Sequence, residues 1–108
     1  MRGIPLTLFF YEGGFLKMLS LIKIALRISH NKLDDEILQT IEAGEKELVR
    51  LGVNPDKATD ESDPLIIECI KAYCKSKFAS DPTMAEGFDK SFKYQADSLR
   101  KSGEYRNV

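Results

Sequence analysis

Aspartate is followed by proline at two places in this chain, Asp63-Pro64 and Asp81-Pro82, and each time apolar residues at helical spacing begin directly behind the pair. A carboxylate at the N-cap accepts hydrogen bonds from the unpaired amides of a first turn, and a proline at the first helical position lacks the amide that would have no partner. Each pair therefore marks a helix start. Behind Asp63, Leu65, Ile66, Ile67, Ile70, Tyr73, Cys74 and Phe78 cover more than half of a helical circumference, which predicts a central helix packed on several sides. Behind Asp81, the residues Met84, Phe88, Phe92, Gln95 or Ala96 and Leu99 recur at i, i+4 spacing until Gly103 ends the run.

The same signals recur upstream. Asp34 is placed to cap a helix with Asp35 and Glu36 in its first turn, and Leu33 with Leu38 fits a hydrophobic staple around that cap. Ile37, Leu38, Ile41, Gly44 or Glu45, Leu48 and Leu51 form the inward stripe, with Glu42, Lys46, Glu47 and Arg50 opposite; Gly52 suits the C′ position and Pro55 blocks continuation. Residues 53–62 read as a polar, acidic loop. A shorter helix is expected behind Ser20, carried by Leu21, Ile22, Ala25, Leu26 and Ile28 and ending at Ser29-His30-Asn31. No segment alternates in the manner of a strand. The chain of 108 residues is thus expected to form one all-α domain, a small bundle of about four helices with short connections. Its core is thin for its surface, so burial against a partner matters.

Residues 1–17 do not resemble the rest. Glu12-Gly13-Gly14 can be encoded by a purine-rich, ribosome-binding stretch three codons before Met18, which points to a natural start at Met18. The expected division is a non-native leader over 1–17, a helical domain over 18–102 and a C-terminal tail over 103–108, with leader and tail loosely ordered. Cys69 and Cys74 fall on different faces of one helix, which suits two packed thiols and not a mutual disulfide.

Charge is unevenly distributed. Residues 1–33 hold five basic and one acidic side chains, residues 34–63 three and ten, and residues 64–108 eight and six, for a net charge of −1. A near-neutral chain is not a sequence-independent nucleic-acid binder, and no run of about 18 apolar residues is present to span a membrane. The blocks suit an oligomer in which an acidic second helix meets a basic first or fourth helix of the next subunit, a heterologous contact that can close into a ring. On the acidic side the candidates are Asp34, Asp35 and Glu42. On the basic side they are Tyr94, which falls off the Phe88/Phe92 stripe, and Arg100, Lys101, Tyr105 and Arg106 toward the C-terminus, since Tyr and Arg are common interface anchors. Catalytic patterns are absent: there is a single histidine, His30, and no phosphate-loop, nucleophile-elbow or zinc-ligand spacing. The clusters Asp34-Asp35-Glu36 and Asp60-Glu61-Ser62-Asp63 lie where helix N-termini favour negative charge, so no enzyme, metal or cofactor is expected.

Taken together, Ala25 to Ile37 (ALRISHNKLDDEI), Val53-Asn54-Pro55, the stretch from Asp63 to Phe78 (DPLIIECIKAYCKSKF) and the closing segment from Phe88 to Tyr105 resemble the small head–tail connector (adaptor) proteins of tailed bacteriophages and prophages. The resemblance implies a non-enzymatic virion subunit that assembles about twelve to a ring beneath the portal. Its partners would be further copies of itself, the portal, and the next head-completion or tail protein. DNA would pass through the channel without sequence-specific binding. The implied location is the virion head–tail junction, reached from the bacterial cytoplasm, with residues 99–108 reaching toward the portal. The competing reading is a small helical DNA-binding regulator. It is disfavoured because the second helix is acidic and the third largely apolar, whereas a recognition helix exposes a basic, polar face.

Overall fold

The computed structural model describes residues 15–107, which form five helices: α1 Phe15–Leu26, α2 Asp34–Arg50, α3 Pro55–Ala58, α4 Pro64–Phe78 and α5 Pro82–Arg100. The expected leader lies largely outside the described residues; Phe15 to Lys17 begin α1. The fold is the expected all-α bundle, with α4 at its centre in contact with α1, α2 and α5. The two Asp-Pro starts are as read: Asp63 accepts from the Leu65 amide at 2.9 Å and Asp81 from the Thr83 amide at 3.1 Å.

Four boundaries differ, one of them the end of α1, which stops at Leu26 and not at Ser29-His30-Asn31 because Arg27 turns left-handed. Helix α1 begins at Phe15, before the proposed Ser20 cap, because no breaker interrupts the residues that bring the fully buried Met18 and Ile22 onto one face. Helix α2 is capped by the Leu33 backbone, and Asp34 is its first helical residue, because the Asp34 carboxylate is drawn 2.8 Å from the Lys23 ammonium of α1. The stretch read as a loop contains α3. Pro55, taken as a block, instead occupies N1, and the Asn54 side chain accepts from the Asp56 amide at 2.8 Å.

The core is built from Ile37, Ile41 and Leu48 of α2, Ile66, Cys69, Ile70 and Cys74 of α4, Phe92, Ala96 and Leu99 of α5, and Met18, Leu19 and Ile22 of α1. Helices α2 and α4 meet closely at Gly44, where a Cβ atom would lie 2.9 Å from the Tyr73 ring. Tyr73 in turn meets Phe92 edge-on at 5.0 Å, so one aromatic layer joins α2, α4 and α5.

Two helices end in the same motif with different residues at its left-handed position. After α2, the Gly52 amide donates to the Val49 carbonyl and the Val53 amide to the Leu48 carbonyl, with Gly52 at φ 110°. After α1, the Arg27 amide donates to Ile24 and the Ile28 amide to Lys23, with Arg27 at φ 59°. Both are Schellman endings, but a side chain in the left-handed region is disfavoured by roughly 1–2 kcal/mol. Arg27→Gly is therefore expected to stabilise the bundle by about 1 kcal/mol and raise Tm by about 4–8 °C in a thermal circular-dichroism scan. An unchanged or lower Tm would show that the arginine side chain contributes more than its backbone costs.

Candidate functional site

The molecule measures 43 × 33 × 18 Å. A helix with its side chains is about 10–12 Å across, so the shortest dimension admits no more than two layers, and most helices keep one face in water. Function therefore has to be sought on surfaces. Among the described residues, no three His, Cys, Asp or Glu side chains are grouped to hold a metal, and no helix is long and apolar enough to cross a membrane. Burial pushes both cysteine thiols up to about 12, which leaves Cys69 and Cys74 inert as nucleophiles at neutral pH.

The acidic candidates lie on α2. Asp34 is engaged by Lys23, whereas Asp35 is exposed, and Glu42, two turns further along, makes only a loose 3.8 Å pair with Lys46. The basic candidates lie on and beyond α5. Tyr94 is 78% exposed, which places a large aromatic ring in solvent, and Lys101, two turns on, shares its face. Arg100 and Lys101 both pair with Asp97, at 2.7 and 2.9 Å. Helices α2 and α5 each pack on α4, so the acidic face and the tyrosine-bearing face belong to different outer elements of one bundle.

Tyr105 is the clearest departure from expectation. The segment after Gly103 was expected to be loosely ordered, with Tyr105 available to a partner, yet Tyr105 is only 7% exposed. Its hydroxyl donates to Asp63 Oδ2 at 2.8 Å, and its carbonyl accepts from the Asn54 amide at 2.8 Å. The Asn107 amide donates to the Gly52 carbonyl at 3.0 Å, and Arg106 forms an antiparallel bridge with Val53. The Lys57 ammonium lies 5.5 Å from the Tyr105 ring and 3.6 Å from the Glu104 carboxylate. The hydrogen bond to Asp63 pushes the Tyr105 phenol up to about 12. These contacts form a clasp between the chain's last described residues and the α2–α4 connection; Arg106 remains exposed on it.

Sequence reasoning missed two surface features. Leu65 and Met84 fit inward stripes in sequence but are 53% and 55% exposed, because each sits in the first turn of its helix, where the neighbouring helices leave it only partly covered. Glu45, paired with Gly44 as an alternative on the inward stripe, is 8% exposed beside Glu61. Burial first, and then the Glu61 and Glu42 carboxyls, push it up to about 9.

Comparison with protein families matches residues 18–106 to the family described as phage connector protein. The chain belongs to that family. No curated protein and no solved structure matches it. The matched span of this connector protein runs from the fully buried Met18 in α1 to Arg106 in the clasp, so it includes every core residue of the bundle.

Proposed function

We propose that this connector protein is a non-catalytic virion component that forms a homo-oligomeric ring of about twelve subunits at the head–tail junction. The ring joins the portal of the DNA-filled head to the tail or to the next head-completion protein. The observation that carries this reading is the family match across the whole helical bundle. The placement of acidic Asp35 and Glu42 on α2, away from exposed Tyr94 on α5, is compatible with side-by-side packing. Contacts that are weak singly hold tightly in a ring, because later ones form at high effective concentration. A near-neutral subunit also suits a channel through which DNA slides, since each neutralised phosphate would strengthen retention.

Tyr94 and Arg106 are the exposed anchors proposed to reach the portal. The double variant Tyr94→Ala/Arg106→Ala should keep the wild-type circular-dichroism spectrum and lose co-sedimentation with portal particles by tenfold or more. Electron microscopy of concentrated protein with light scattering tests assembly itself. Rings of about a dozen copies, free or on portals, are expected. A chain that stays monomeric both alone and with portals would overturn the reading.

A further inference from the structure

A groove of about 590 Å³ opens at one end of the bundle, between the last turns of α1 and α4 and the first turns of α5. Leu26, Ile28, Leu33, Phe78, Met84 and Phe88 supply its apolar walls, and Arg27 and Lys75 stand in the lining. Neither cation has a carboxylate within ion-pair distance among the described residues; the Lys75 ammonium lies instead 5.4 Å from the Phe88 ring. The one carboxylate in the lining, Asp81, is occupied in capping α5. Arg27 holds the left-handed position at which α2 uses glycine. Strained non-glycine residues persist where the side chain is needed, and here that side chain rims the groove.

At the other end of α4, about 20 Å away by helical rise, Leu65 projects into solvent. Asp56, Asp60, Glu61, Asp63 and Glu68 surround it in sequence, and Asp56, Asp60 and Glu61 have no basic partner among the described residues. The nearby Lys57 is already engaged by Glu104 and the Tyr105 ring. An exposed apolar side chain in an acidic setting thus sits at one end of α4, and an apolar hollow with two unpaired cations sits at the other.

We propose that Leu65 of one copy docks into the Arg27/Lys75 groove of a second copy of this chain. The proposal rests on the ring reading above and assigns the contact that would build it. Projection and groove are held apart by one rigid helix, so a copy cannot fill its own groove. Repetition of the contact is head-to-tail, the arrangement that generates rings when the rotation closes. The apolar insertion supplies burial, and the opposed charges set orientation and partner choice.

The test uses the full chain and two surface variants, Leu65→Asp and Met84→Asp, each checked for wild-type helicity, in sedimentation at high and low salt. Wild type should self-associate, more weakly at 0.5 M than at 0.05 M salt as screening grows. Each variant alone should lose association at least tenfold. Their equimolar mixture should give dimers and nothing larger, because one partner keeps an intact groove and the other an intact Leu65. Variants that still form wild-type rings would overturn this contact and leave the ring reading standing. A wild type and a mixture that both remain monomeric would overturn self-docking, and portal co-sedimentation would then judge the ring reading separately. Self-association that appears only when residues 1–14 are removed would assign the groove to that segment and equally overturn the proposal.

Discussion

Glu45→Gln is expected to stabilise the protein by about 2 kcal/mol at pH 8 and to have almost no effect at pH 4. Glu45 lies on the inward face of α2, 8% exposed, with one carboxyl oxygen lacking any partner and the Glu61 carboxyl alongside. Burial, reinforced by Glu61 and Glu42, raises its pKa from an ordinary 4.5 to about 9. In the folded state the group therefore keeps its proton through the neutral range, whereas the unfolded chain releases it above about 4.5. Stability associated with this group is fully present below pH 4.5 and is lost progressively as pH rises toward 9. Glutamine removes the titration and can donate an amide hydrogen to Glu61. Thermal unfolding at the two pH values should show a Tm rise of about 10 °C at pH 8 and little change at pH 4. An equal change at both values would mean that folding does not raise the pKa of Glu45.

Ending the chain after Ser102 should lower Tm by about 10–20 °C, and Tyr105→Ala should account for most of that loss. The sequence reads this segment as a loosely ordered tail reaching toward the portal; the clasp makes it part of the bundle. Truncating a buried aromatic costs about 3 kcal/mol in a site that cannot collapse, a large fraction of the stability of a domain this small. Tyr105→Phe isolates the hydrogen bond to Asp63 and should cost about 1 kcal/mol. A Tm within 3 °C of wild type after truncation would show that the clasp adds little. Portal attachment is consequently better tested with Tyr94 and Arg106, whose substitution leaves the clasp intact, than by deleting the segment.

What could be read in advance was what is encoded locally. Asp63, Asp81 and Gly52 act within a few residues of themselves, and their chemistry alone places three helix ends. Tyr94 was legible as exposed because it breaks the spacing of Phe88 and Phe92. The misreadings are tertiary. Asp34 has the composition of a cap, but Lys23 of another helix claims its carboxylate. Tyr105 carries no sign of burial in its neighbours, because its partner Asp63 lies 42 residues away. Arg27 gives no helix-end signal, since the motif it closes ordinarily announces itself by glycine. Leu65 and Met84 satisfy a helical stripe in sequence, but whether a stripe is covered at its first turn depends on how far the neighbouring elements extend.

Asp63 serves two elements with its two oxygens, Oδ1 to the Leu65 amide and Oδ2 to the Tyr105 hydroxyl. The first turn of α4 and the chain's last described residues are therefore joined into one unit of local opening, although they are distant in sequence. A fluctuation that releases Tyr105 removes one of the two bonds that fix the carboxylate capping the Leu65 amide, and the backbone bonds of Asn54 and Asn107 belong to the same clasp. Whatever grips or shields the C-terminal segment thus alters how steadily Leu65 is presented at the head of α4. Binding at the C-terminal segment would in this way reach the adjoining Leu65 surface through a single side chain, without any helix having to move.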